Sequence, residues 1–167
     1  MKQNSFGIPS AEQMEGMEVV ALLELRLKIR QQRDARRAAT NESITAAQAE
    51  IHREAMLKRR VFDLTLNDLK RQMDELIAKD NGPENRVKVA DLREKISELK
   101  YDFTAGTLER DHKLQTLANE RQKRNAQNQT DYEWAEMEIC KVIRAKGGFK
   151  EYGFGTDNNG QAQTHED

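Results

Sequence analysis

Apolar residues recur at alternating steps of three and four along two long, charged segments of the chain. Phe62, Leu66, Leu69, Met73 and Leu76 keep this rhythm in the first, and Val89, Leu92, Ile96, Leu99 and Phe103 in the second. Such spacing returns a side chain to the same helix face at every turn and predicts a narrow apolar seam of the coiled-coil kind. Between the segments lies Lys79-Asp80-Asn81-Gly82-Pro83-Glu84-Asn85, whose centre is built of turn formers. Pro83 is tolerated in the first turn of a helix, where its missing N–H costs little.

Numbered outward from this breaker, the two segments pair off. Folding them antiparallel sets Leu76 opposite Val89, Met73 opposite Leu92, Leu69 opposite Ile96, Leu66 opposite Leu99 and Phe62 opposite Phe103. Farther out, Ile51 meets Leu114. The polar stretch 31–43 meets the polar stretch 119–131, and Leu22 to Ile29 meet Tyr132 to Val142. Apolar faces apolar and polar faces polar at both ends and in the middle, so the breaker reads as the closed tip of a hairpin. Charge fits the same register, with Arg26, Lys28, Arg30 and Arg33 opposite Asp131, Glu133, Glu136 and Glu138. Each exposed pair is worth only ~0–1 kcal/mol, so these pairs select register more than they hold the arms together.

Three places complicate the pattern. In residues 17–30, Leu23, Leu25, Leu27 and Ile29 alternate with polar or charged residues, the period of a strand, while Leu22, Leu25 and Ile29 satisfy helical spacing. Good helix formers and the absence of a flanking breaker favour helix. A strict seven-residue frame through Phe62 would place Arg59 and His52 in the seam, although Ile51 is the apolar residue at hand. The frame therefore slips there, opposite Gly106, and the pair should loosen. Finally, Leu57, Val61 and Leu64 lie beside the seam and widen the apolar face, which calls for a further helix from another copy or another protein.

The ends read differently. Residues 1–9 contain Gly7 and Pro9, lack periodicity and read as an extended, flexible arm. Ser10-Ala11-Glu12-Gln13 has the form of a capping box. Gly147 and Gly148 stop the second helix. Phe149, Tyr152 and Phe154 then open a tail that ends in a polar run. The expected fold is all-α: a long antiparallel helical hairpin with a flexible N-terminal arm and a C-terminal tail. Its expected parts are an arm at 1–9, a hairpin over 10–148 (helix 10–79, turn 80–85, helix 86–146) and an aromatic then polar tail over 149–167.

Composition agrees and narrows the function. Charged residues make up 34% and apolar residues 37% of the 167, with only two prolines, a balance suited to long helices. Lys and Arg total 28 against 29 Asp and Glu, a net charge of −1, which disfavours a generally basic nucleic-acid or membrane-surface binder. Cys140 is the single cysteine, and it suits a reducing compartment. No apolar run approaches the ~20 residues of a membrane span. The N-terminus has no apolar core of signal-peptide length. A cytoplasmic protein, or one incorporated in a cytoplasmically assembled particle, is expected.

Catalytic chemistry is not evident. His52 and His112 lie nearly opposite each other but do not complete a four-ligand zinc set, and Cys140 has no histidine near it in this register. The glycines at 147, 148, 153 and 155 lack the surroundings of a phosphate loop. No catalytic, metal or cofactor residues are expected, and an enzyme is disfavoured because a thin pair of helices offers no water-excluding pocket. Two groups carry functional weight. Phe149, Tyr152 and Phe154 are candidates for partner binding, or fold back beside Phe6 and Trp134. Arg30, Arg33, Arg36 and Arg37, with Lys123 and Arg124, are candidate contacts for phosphates or an acidic partner, set against the plainer reading of a solvated face. In outline the chain is similar to stalk and scaffold hairpins of export machines and of virus assembly, a likeness of architecture alone. The expectation is a structural or interaction protein: an elongated coiled-coil spacer, adaptor or assembly component that oligomerises or docks on a larger complex such as a virion, scaffold or secretion assembly. A nucleic-acid-associated accessory protein using the basic face is the alternative.

Overall fold

The computed structural model describes residues 4–151. Among them are four helices and no strand: α1 (Ala11–Glu15), α2 (Val19–Lys79), α3 (Pro83–Ala145) and α4 (Gly148–Glu151). α2 and α3 are 61 and 63 residues long, and they pack together as the arms of an all-α hairpin. Residues 17–30, with their two possible periods, are helical from Val19 onward. Leu22 and Ile29 are fully buried while Leu27 is exposed, which is one face of a helix and not one face of a strand.

Element bounds differ from expectation at both ends of α2. Ser10 caps α1 with the expected box: its hydroxyl accepts from the Gln13 N–H at 3.2 Å, and the Gln13 amide oxygen accepts from the Ser10 N–H at 2.9 Å. The helix then stops at Gly16, whose N–H donates to the Gln13 carbonyl at 3.2 Å while the Met17 N–H donates to the Met14 carbonyl at 3.1 Å. The expected run from 10 to 79 is thus two helices, and the break lets Met14 turn into the core. At the tip, the turn spans 80–82 where 80–85 was expected. The Asp80 carboxylate accepts from the Gly82 N–H and stands in for a backbone turn. Pro83 then occupies the first helical position and Gly82 O accepts from Arg86 N–H at 3.1 Å.

The chain divides into two compact units, Met1–Ala39 with Arg124–Asp167, and Thr40–Lys123. The first encloses a core of Phe6, Ile8, Met14, Leu22, Ile29, Tyr132, Ala135, Ile139, Val142 and Ile143, with Trp134 and Phe149 packed against it. The described part of the expected flexible arm, residues 4–9, is folded onto this core. Asn4 closes a turn through two bonds to Ile8, at 2.6 and 2.9 Å, and Gly7 takes the positive φ of 62° that the turn requires. This aims Phe6 and Ile8 inward. At the other end, Gly147 (φ 70°) reverses the chain after α3, and Gly148 lies so close to Val19 that an added Cβ would come within 2.5 Å of its methyl carbon.

The second unit is a pair of helices around one stripe. Between 61 and 79, Phe62, Leu66, Leu69, Met73 and Leu76 are half-buried and every other position is exposed. Their expected partners Val89, Leu92, Ile96, Leu99 and Phe103 are the protected apolar positions of α3 between 83 and 103. Phe62 and Phe103 stack with ring centroids 4.1 Å apart at 20°, which fixes the register. Beyond this stack the stripe passes through Ala55 and Ile51 on α2, leaving Arg59 and His52 exposed, and through Thr107, Arg110 and Leu114 on α3. Both helices therefore leave the seven-residue frame at the same level, where the sequence pattern slips.

Burial separates the units energetically. Ile139 is completely buried, so Ile139→Ala is expected to lower unfolding free energy by about 2–5 kcal/mol in a urea titration, whereas Val61→Ala, at an exposed site, is expected to change it by about 0.5 kcal/mol or less. Amide exchange within the second unit is expected to be faster across 51–59 and 103–110 than across 62–76 and 89–99. Equal protection of these stretches would mean that the slip does not weaken the pair.

Candidate interaction surface

Phe149, the first of the candidate partner-binding aromatics, is turned inward. It packs against the first unit's core, and the guanidiniums of Arg26 and Arg144 stand 5.7 and 5.8 Å from its ring centroid. Its site is made by the Gly147 reversal and the Gly148–Val19 approach, so the same glycines that stop α3 also seat the ring. Tyr152 and Phe154 lie outside the described residues.

Three arginines of the candidate basic cluster meet different partners within the chain. Arg36 lies over the Phe6 ring at 4.2 Å and donates to the Ser5 carbonyl at 2.5 Å. Arg33 lies over Tyr132 at 4.4 Å and pairs with Asp34 at 2.7 Å. Arg30 sits 4.0 Å from Glu136, and a hydrogen bond with Tyr132 is the main cause that raises its pKa further above the ordinary arginine value. These guanidiniums hold the arm and the helix pair together by stacking and donor bonds. Arg37 is exposed. Lys123 belongs to the second unit, and Arg124 to the first.

Cross-helix charge pairing is narrower than the sequence suggested. Glu136 receives Arg26 at 2.9 Å as well as the more distant Arg30. Asp131 instead accepts from Ser5 and Gln127, Glu133 from Gln129, and Glu138 from Lys141. The polar stretches do meet: the Asn128 amide donates to the Arg33 carbonyl at 2.9 Å.

Of the other reactive groups, Cys140 is half-buried and burial pushes its thiol pKa up, away from the thiolate a nucleophile needs. His52 and His112 are exposed. Among the described residues no three His, Cys, Asp or Glu side chains gather as a metal site, and no helix is long and apolar enough to cross a membrane.

The surface that stands out lies in the second unit. Leu57, Val61 and Leu64, which share one face of α2, are 61%, 64% and 64% exposed. Beside Val61 a groove of about 460 Å³ runs between the helices, with Phe62, Phe103, Ile51 and Leu99 in its lining. Gly106 helps to open it, because nothing lies within 4 Å of where its Cβ would be. The rim carries Glu54 bonded to Lys58 at 2.8 Å and Glu109 bonded to Lys113 at 2.7 Å. The sequence pointed to the apolar strip but not to the groove. Gly106 opposite Arg59 was its only signal.

No protein-family model, curated protein or solved structure matches the chain.

Phe149→Ala is expected to destabilise the first unit by about 1–3 kcal/mol, because the ring is only partly buried. Tryptophan fluorescence during urea unfolding reads this directly through Trp134. An unchanged midpoint would mean that the ring contributes nothing to its own chain.

Proposed function

We propose that this chain is a structural or interaction protein, a helical-hairpin spacer or adaptor that joins an assembly through the second unit. The observation that carries the reading is the strip Leu57, Val61 and Leu64, held open to water on a regular helix next to an apolar-floored groove. Large apolar side chains aligned along one face mark a contact surface more often than isolated ones do. A two-helix unit with a one-residue seam gains most from a further helix on that side, because such a helix covers the strip and the groove together. The occupant that fits is an amphipathic helix with an apolar stripe and charges of both signs at its ends.

A role on nucleic acid has less support. Arg33 and Arg36 are engaged with rings and oxygens of their own chain, which leaves fewer free cations for phosphates. An enzymatic role has no chemical support from the half-buried Cys140 or the exposed histidines.

The test compares what full-length protein captures from an extract with what a Leu57→Glu/Leu64→Glu variant captures, with far-UV circular dichroism as the folding control. The expected outcome is loss of the captured proteins, copies of this chain included, at unchanged helicity. An identical captured set would overturn the reading. A salt-sensitive shift of duplex DNA, lost in Arg37→Ala/Lys123→Ala, would assign the basic face to nucleic acid instead.

A further inference from the structure

We infer that the strip on α2 is a self-association surface, and that a second copy of this chain lies antiparallel across it, α2 against α2, about a two-fold axis. This rests on the interaction reading above and names its occupant.

The residues on that face are Glu54, Leu57, Val61, Leu64, Asp68 and Arg71, again at alternating steps of three and four. They form a second stripe, separate from the seam of Phe62, Leu66 and Leu69. Its centre is apolar, a carboxylate closes its N-terminal end, and a guanidinium closes its C-terminal end. A polarised stripe of this kind is complementary to itself only when reversed. A parallel copy would set Glu54 on Glu54, Asp68 on Asp68 and Arg71 on Arg71, with like charges facing at every polar level. An antiparallel copy with Val61 opposite Leu64 sets Glu54 opposite Arg71, and the two-fold repeats both contacts.

Neighbouring registers lose both Glu54–Arg71 pairs. Moving the copies so that Val61 faces Leu57 puts Leu64 opposite Glu54 and Asp68 opposite Glu50. Moving them the other way sets Val61 against Arg71 and Leu57 against Glu75. In the favoured register Asp68 faces Leu57, with Lys58 next in sequence to receive its carboxylate. Glu50 and Glu75 then meet at the ends, each already paired with an arginine of its own chain, Arg53 and Arg71. Arg71 holds Asp68 at 2.6 Å and Glu75 at 2.7 Å. A guanidinium has five N–H donors, so it can take a further carboxylate from the second copy.

Shape supports the same register. Val61 forms part of the groove wall, and Leu64 of the second copy, lying opposite it, reaches the groove that Gly106 opens above the Phe62–Phe103 stack. A knob entering a hole lined by small and aromatic residues is how paired helices gain close packing.

Sedimentation of the full-length chain tests the inference. The expected result is a rise from the mass of one chain to that of two over roughly 1–100 µM. Glu54→Arg and Arg71→Glu alone are each expected to weaken association about ten-fold, because the two-fold doubles every substitution. Combined in one chain they are expected to restore it to within about two-fold of wild type. Leu64→Glu is expected to abolish it. All three positions are exposed, and far-UV circular dichroism of each variant separates lost association from lost helicity, since Glu54 and Arg71 also pair along their own helix. A wild-type chain that remains single at the highest concentration overturns the inference, and so does a dimer that the double variant fails to rescue. If the chain remains single while Leu57→Glu/Leu64→Glu still strips proteins from the capture experiment, the interaction reading survives with a different occupant.

Discussion

Two helices packed side by side can each remove only one stripe of side chains from water. A stripe one residue wide protects its apolar groups incompletely, because solvent reaches it from both flanks. In the second unit Phe62 and Phe103 are only half-buried although they stack, and the best protected residues, Ile44, Leu92 and Ile96, keep 3%, 8% and 9% exposure. The first unit escapes the limit by adding layers. The turn at Asn4–Ile8, the short α1 and the Gly148–Glu151 segment close over α2 and α3, and there Leu22, Ile29, Ile139 and Ile143 reach zero exposure. Burial of that extent is worth about 1.5–3 kcal/mol for each large aliphatic side chain. One hairpin thus carries a closed core and, elsewhere, an open stripe.

Charge is used differently in the two units. In the first, arginines serve as flat packing surfaces over Phe6 and Tyr132 while their N–H groups bind a carbonyl or a carboxylate. In the second, many charged side chains pair along their own helix, as Glu54 does with Lys58 and Glu109 with Lys113. Pairs this exposed add little stability. Their value lies in keeping the helix faces solvated where nothing apolar is offered, so that the apolar strip between them is well defined.

The hairpin itself was legible because its signal is local and repeated. Phe62 to Leu76 and Val89 to Phe103 carry the three-and-four spacing without ambiguity, and the reversal at Gly82 and Pro83 fixes which residues meet. Even the slip near Ile51 was readable, since His52 and Arg59 are poor seam residues. What escaped the sequence depends on tertiary structure. Phe6 and Ile8 show no period, and nothing in a nine-residue segment reveals the concave surface that receives them. Gly16 falls inside the helix expected over 10–79, yet it ends α1 so that Met14 can turn inward. The surroundings of the basic cluster were hidden for a related reason: sequence shows the cations, but not the rings and oxygens that Arg33 and Arg36 meet.

Trp134, packed against the first unit's core, is the single tryptophan of the chain. Intrinsic fluorescence is therefore a private signal of that unit and is blind to residues 40–123. Optical unfolding followed at the indole and helix content followed by circular dichroism sample different parts of the molecule. Coincident curves would show that both units melt as one cooperative block, and separated curves would resolve two melting steps within one continuous pair of helices.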